Sequence, residues 1–346
     1  MNKEFIVPTG RIIKEYLEEY EINQKELSSR TGISEKHISN VMNGNCRLTE
    51  EFALKLEKII PNVKAEYWLN YESKYREYIA RQKELKCMDE EMLLILAKRF
   101  HFKEVFRGLG LSLIEEAIEM LKLLRISDFT QFDVVYDKIL ADFMEDGGEK
   151  EAIAIWLNMC RSEIEIQNKD LTDIEYNEKD FRNNLNKFKI LAMNEKTELS
   201  INSSRKLCNK LGVYLVFCEP IKHSKVRGAI TSYKGKPVIY ISGRFKTHAH
   251  IWFALMHEIG HLLLHYDKRD TIVSIEDDST LKELEANKFA QDFFINPLEY
   301  KSFINSGIFT KETIIEFSRE QKILPKFIVA RLQHDKIIEY SAFTYL

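Results

Sequence analysis

The stretch Leu255-Met-His257-Glu258-Ile-Gly-His261-Leu-Leu-Leu264 limits what this chain can become more sharply than any other. Two histidines and a glutamate sit inside an apolar run, with Ile251, Trp252, Phe253 and Ala254 before them and three leucines after. Helical periodicity sends residues four apart out of the same face, one turn apart, so His257 and His261 can share one ion. In such apolar surroundings the three polar groups would be buried and would require partners. Glu258, beside the first histidine, is placed to take a proton from a zinc-bound water and pass it to a leaving amine. Zinc lowers the pKa of such a water to about 7, which supplies a hydroxide near neutral pH.

A catalytic zinc needs a third protein ligand and an open position. A helix expected over about Thr280 to Phe294 follows one loop later and carries an apolar stripe through Ala286, Phe289, Ala290 and Phe293. Glu283 lies on one edge of that stripe and Glu285 on the other; periodicity favours Glu283 and leaves Glu285 open. Asn287, one turn after Glu283, is a candidate for orienting a ligand by a hydrogen bond.

The surrounding texture is mixed. Val213–Cys218 and Pro237–Ser242 are short β-branched and aromatic runs, and Lys234-Gly-Lys between Tyr233 and Pro237 reads as a hairpin turn. A long helix is expected from about Thr247 to Tyr266, then a loop, then the Thr280–Phe294 helix, closed by Asn296-Pro297. Helices over Thr313–Glu320 and Lys326–Gln333 read as closing the domain. Residues 200–346 are therefore an α+β domain.

Residues 76–199 are helical by pattern, with a long amphipathic period over Glu90–Leu124, a second around Ala152–Ile166, and Glu145-Asp-Gly-Gly-Glu149 as the best internal boundary. They carry no recognisable chemistry and are expected to form a spacer or dimerising layer. With 13 Gly and 6 Pro in 346 residues, the fold class is mainly α with an α+β C-terminal domain.

Residues 1–75 form a third region of five short helices. Caps recur at Thr9, Asn23, Ser34 and Thr49. Gln24 to Gly44 reads helix, Gly-containing turn, helix, with Leu27, Ile33, Ile38, Val41 and Met42 on the buried face. The second helix then turns Glu35, Lys36, His37, Asn40 and Asn43 outward, where they suit base edges and phosphates of a major groove. Gln24, at the start of the first helix, suits a phosphate oxygen. Residues 1–75 hold 11 Lys and Arg against 12 Asp and Glu, so they lack the basic stripe usual in a DNA-binding domain; either affinity needs dimerisation or the domain has turned to protein contacts, and DNA binding is the favoured reading.

The whole-chain charge of −3 excludes a broad basic field. Five scattered cysteines (Cys46, Cys87, Cys160, Cys208, Cys218) without a Cys-x-x-Cys pair argue against a disulfide framework. With no signal-peptide pattern at the N-terminus and no apolar run of membrane-spanning length, the expected setting is cytoplasmic, without a membrane partner.

At these residues two families come into view. His257-Glu-Ile-Gly-His261, then Glu283-Leu-Glu-Ala-Asn-Lys-Phe-Ala290 and a hydrophobic run ending at Pro297, resemble the ImmA/IrrE zinc metallopeptidases over about residues 200–335. That resemblance implies a gluzincin-like domain with zinc on His257, His261 and Glu283, Glu258 as the catalytic residue, and a repressor-type regulatory protein as substrate. Residues 8–75 resemble an XRE-type helix-turn-helix domain, nearest the HigA-like antidotes, with Arg47–Glu57 and Tyr67–Asn70 fitting that group. Together they imply a transcriptional regulator that binds double-stranded operator DNA, as a homodimer, and carries a zinc endopeptidase. The alternative they imply is a non-enzymatic antitoxin or regulator whose metal-site domain senses a ligand or holds a toxin partner.

Overall fold

The computed structural model describes residues 6–86, 89–140, 148–171, 173–243, 247–268, 271–275, 280–344 and 346. Cys87 and Glu145-Asp-Gly147 of the expected internal boundary lie outside these residues. The chain forms two compact units, Met1–Leu94 and Ile95–Leu346. Among the described residues there are eighteen helices and four strands, and no helix is long and apolar enough to cross a membrane.

The first unit contains α1 (Thr9–Glu19), α2 (Gln24–Thr31), α3 (Glu35–Met42), α4 (Glu50–Ile59) and α5 (Ala65–Lys86). The starts of α2, α3 and α4 follow from local chemistry. Asn23, Ser34 and Thr49 accept hydrogen bonds from the backbone N–H groups of Glu26, His37 and Phe52, which satisfies donors the helix cannot. Thr9, by contrast, is the first residue of α1, with Pro8 before it and no side-chain cap. The helices close around Ile13, Leu17, Leu27, Ile38, Phe52, Leu56 and Trp68. Glu72 of α5 is buried among them, accepting from Leu48 N (3.3 Å) and Arg76 Nε (2.6 Å), while Arg76 Nη2 donates to Cys46 O (2.7 Å). One ion pair on α5 thereby holds the segment that leaves α3.

The boundary between the units falls inside α6 (Glu90–Arg99). Next come α7 (Phe102–Val105), α8 (Leu113–Leu124), α9 (Gln131–Leu140), α10 (Lys150–Gln167), α11 (Glu178–Asn183), α12 (Leu185–Ala192) and α13 (Thr197–Lys210). The sheet comprises β1 (Tyr214–Cys218), β2 (Val226–Tyr233), β3 (Lys236–Ser242) and β4 (Ile272–Ile275); α14 (His248–Leu264) precedes β4. The unit ends with α15 (Leu281–Phe294), α16 (Pro297–Asn305), α17 (Lys311–Gln321) and α18 (Pro325–His334).

Strand order is β1-β3-β2-β4, with β1 parallel to β3 and the other pairs antiparallel. The β2–β3 hairpin turns on Lys234 and Gly235, both at positive φ, as a two-residue turn between antiparallel strands requires. One face of the sheet, through Leu215, Ile230, Ile239 and Ile241, packs on Trp252, Leu255 and Ile259 of α14. The alternate face meets α10, where Trp156 stands edge-on to Tyr240 at 6.2 Å. The free edge of β1 is covered by side chains: Gln167 bonds both the N–H and the carbonyl of Phe217, Asn168 accepts from Leu215 N, and Arg205 donates to Leu215 O. Such covering removes an edge that could pair with another chain.

Three expectations change. The region 76–199 is not a separate layer, because Ala152-Ile-Ala-Ile-Trp156 of α10 is wholly buried and forms part of the α/β sandwich. An uninterrupted apolar run of this kind signals a helix covered on more than one side. The long period over Glu90–Leu124 is broken into three helices, with His101 at φ 53° and Gly108 and Gly110 also at positive φ. The loop expected between α14 and α15 contains β4, four residues that are a strand because β2 pairs with them.

Candidate metal centre and helix-turn-helix face

α14 begins at the Thr247 cap, whose hydroxyl accepts from His250 N. Along its length, His257, His261 and the terminal His265 follow one another at intervals of one turn. The side chains of His257 and Glu258 are 3% and 0% exposed, and that of His261 is 0% exposed. α15 begins at the Thr280 cap and carries Glu283, 4% exposed, in its first turn.

The two helices bring these groups to one point. Glu283 Oε2 lies 3.0 Å from His257 Nε2, and Glu283 Oε1 lies 2.7 Å from His261 Nε2. The two Nε2 atoms are 3.1 Å apart. Burial pushes the Glu283 carboxyl up, but the hydrogen bonds and charges of both histidines outweigh it and hold the group down at about 2. Among the described residues this is the one cluster of three metal-ligating groups whose donor atoms all lie within 4.8 Å of one another.

The donor set suits a divalent transition metal. Two imidazole nitrogens and a carboxylate are a recognised catalytic zinc set, and tetrahedral bonds of about 2.0–2.1 Å would put ligand atoms about 3.3 Å apart. The observed separations of 2.7–3.1 Å are close to that spacing. Bringing so many electron pairs together in a buried place is favourable only around a proton or a cation.

Two glycines make the geometry possible, and sequence reasoning assigned neither a role. A Cβ on Gly260 would stand 3.2 Å from the Cα of Ala286 and 3.2 Å from Phe289 Cδ1, so a bare backbone lets α14 and α15 approach. A Cβ on Gly228 of β2 would lie 2.3 Å from Glu258 Oε1. The Glu258 carboxylate thus rests against the β2 backbone, beside the irregularity in β2–β4 pairing between Val226 and Gly228. A conformation-neutral glycine in a strand is a known mark of such close approach.

Of the two glutamates left open by periodicity, Glu283 is brought to the histidine pair, and Glu285 is half-exposed with Oε2 2.8 Å from His265 Nε2. Asn287 is half-buried on the same helix. The other histidines of the second unit have separate surroundings. His248 is an anchor, its Nε2 2.8 Å from Ala192 O and its Nδ1 2.9 Å from Thr197 Oγ1. His223 lies against Glu149 with His101 stacked at 6.2 Å. His250 is two turns before His257 on α14; burial lowers its pKa, and the charges of His334 and Arg227 lower it further.

In the first unit, α2 and α3 meet at Gly32, which adopts φ 73°. Gln24 is the first residue of α2 and is exposed. On α3, Glu35 and Lys36 are exposed, His37 and Asn40 are half-buried, and Asn43 is the exposed C-terminal cap. The opposite face, Ile38, Val41 and Met42, is buried.

Residues 13–68 match a helix-turn-helix family model, and residues 208–332 match the peptidase M78 family model, the IrrE N-terminal-like domain. Comparison with curated proteins gives no match. The chain therefore joins an N-terminal XRE-type helix-turn-helix domain to a C-terminal IrrE/ImmA-like domain.

Proposed function

We propose that this union of a helix-turn-helix domain and an IrrE/ImmA-like domain is a DNA-binding regulator whose second domain is a zinc-dependent endopeptidase acting on a repressor-type regulatory protein. The observation that carries the reading is the meeting of His257, His261 and Glu283 in a buried cluster with Glu258 alongside. His257, His261 and Glu283 would hold the ion. When bound, zinc supplies a Lewis acid that lowers the pKa of water and polarises a carbonyl. Glu258 takes the proton of the attacking water and delivers it to the leaving nitrogen as the peptide bond breaks. Its burial against β2 fixes the carboxylate in place and limits competing water.

The DNA-binding part of the reading rests on Gln24, Glu35, Lys36, His37, Asn40 and Asn43 on the α2–α3 pair, with the operator read as a homodimer on paired half-sites. Cleavage is tested by incubating the full chain and its Glu258→Gln variant with candidate repressors, with and without chelator. Cleavage by the wild type, lost with the variant and with chelator, supports the peptidase. Stoichiometric zinc without cleavage of any repressor would favour a non-catalytic sensor.

A further inference from the structure

His265 lies one turn beyond His261 on α14, with its ring 7% exposed. Its Nδ1 is 3.0 Å from His261 Nδ1, and its Nε2 is 2.8 Å from Glu285 Oε2. These two contacts fix where the protons are. An ionised carboxylate only accepts, so His265 Nε2 must carry hydrogen. In neutral His265 the other nitrogen, Nδ1, is then an acceptor, and the atom facing it, His261 Nδ1, must donate. With Nδ1 held by His265, the atom of His261 left to meet an ion is Nε2, which faces Glu283 and His257.

We infer that His265 and Glu285 are a positioning pair that locks His261 in the tautomer and ring orientation able to bind a metal through Nε2. The chain of donors runs from His261 Nδ1–H to His265 Nδ1 and from His265 Nε2–H to Glu285. It holds the His261 ring in one orientation and costs it rotational freedom before any ion arrives. An outer partner of this kind is worth about 10–100-fold in metal affinity. Glu285, outside the cluster and half-exposed, acts through His265 rather than on the metal. The inference rests on the metal reading for its consequence, though not for the tautomer itself.

The test has two arms on the full-length chain. In the first, zinc affinity is measured by competition with a chromophoric chelator for wild type, His265→Phe, His265→Gln and Glu285→Leu. His265→Phe is expected to lose about 10–100-fold and Glu285→Leu less. His265→Gln, whose amide oxygen can accept from His261 Nδ1–H, should recover part of the loss, which a purely structural role would not produce. In the second arm, 15N-histidine NMR of the metal-free protein should show His261 protonated at Nδ1, with that preference lost in His265→Phe. His265→Phe binding zinc within twofold of wild type, or His261 protonated only at Nε2 in the wild type, would overturn the inference. Failure of the wild type to bind zinc would instead remove the metal reading, and the NMR arm would still decide the tautomer.

Discussion

Gly260 of α14 and the backbone of Ala286 on α15 are separated by no side chain: a Cβ on Gly260 would lie 3.2 Å from the Ala286 Cα and 3.4 Å from its carbonyl oxygen. The spacing of these helices sets the distance from Glu283 to the two histidines. Gly260→Leu should force them apart, costing about 1–3 kcal/mol in stability by overpacking. Zinc affinity should fall more steeply than the thermal midpoint, and Gly260→Ala should be milder on both. Chelator competition beside a thermal melt checks this. A Gly260→Leu protein that melts lower yet holds zinc like the wild type would show that helix spacing does not govern the cluster.

Separate roles for Glu258 and Glu283 predict two different failures. Glu258→Gln should retain stoichiometric metal and lose at least about 10²-fold in hydrolysis, the usual scale of a general acid–base contribution. Glu283→Ala should lose metal first, because two histidines alone give an incomplete site. Elemental analysis of both purified variants separates the cases. A Glu283→Ala protein with a full complement of tightly held zinc would remove that residue from the ligand set.

Much of this arrangement was open to reading because it is local. The pair His257 and His261 speaks through helical spacing, and Asn23, Ser34, Thr49 and Thr280 announce their helices through side chains that bond backbone three residues on. What escaped was non-local. Gly228 and Gly260 matter for what lies across from them, Glu258 and Ala286, and no spacing rule reports that. β4 is too short to carry a period and exists through its pairing with β2. His265 repeats the one-turn interval of His257 and His261 in plain view, but its meaning depends on Glu285, twenty residues away across a loop.

The Glu72–Arg76 pair gives the first unit a sensitive point. Arg76→Ala leaves the buried Glu72 carboxylate without its guanidinium and frees the Cys46 carbonyl, next to the exit of α3. Breaking a buried pair from one side is costly, and because the Arg76 side chain is 32% exposed the loss should be about 1–3 kcal/mol rather than the full value for a sealed pair. Urea unfolding of the full chain should show an earlier transition for the helix-turn-helix unit, and a gel shift on the DNA upstream of its own gene should weaken in parallel. Unchanged unfolding would mean that water replaces the guanidinium at little cost.

Acid should loosen the second unit partly through His248. Burial lowers the pKa of this imidazole and the nearby Lys326 charge lowers it further, against the raising effects of the Ala192 carbonyl and Glu195. Its folded pKa is thus below the ordinary value near 6.5, so the unfolded chain takes up a proton first. The neutral ring's contribution is complete above about pH 6.5 and is lost as the pH falls from there toward the folded pKa. Between pH 7.5 and 5.5, the wild type should lose more stability than His248→Asn, which keeps polar groups near Ala192 and Thr197 without a titrating proton. Denaturant midpoints at the two pH values measure the difference, and equal losses in both proteins would show that His248 does not contribute to the acid response.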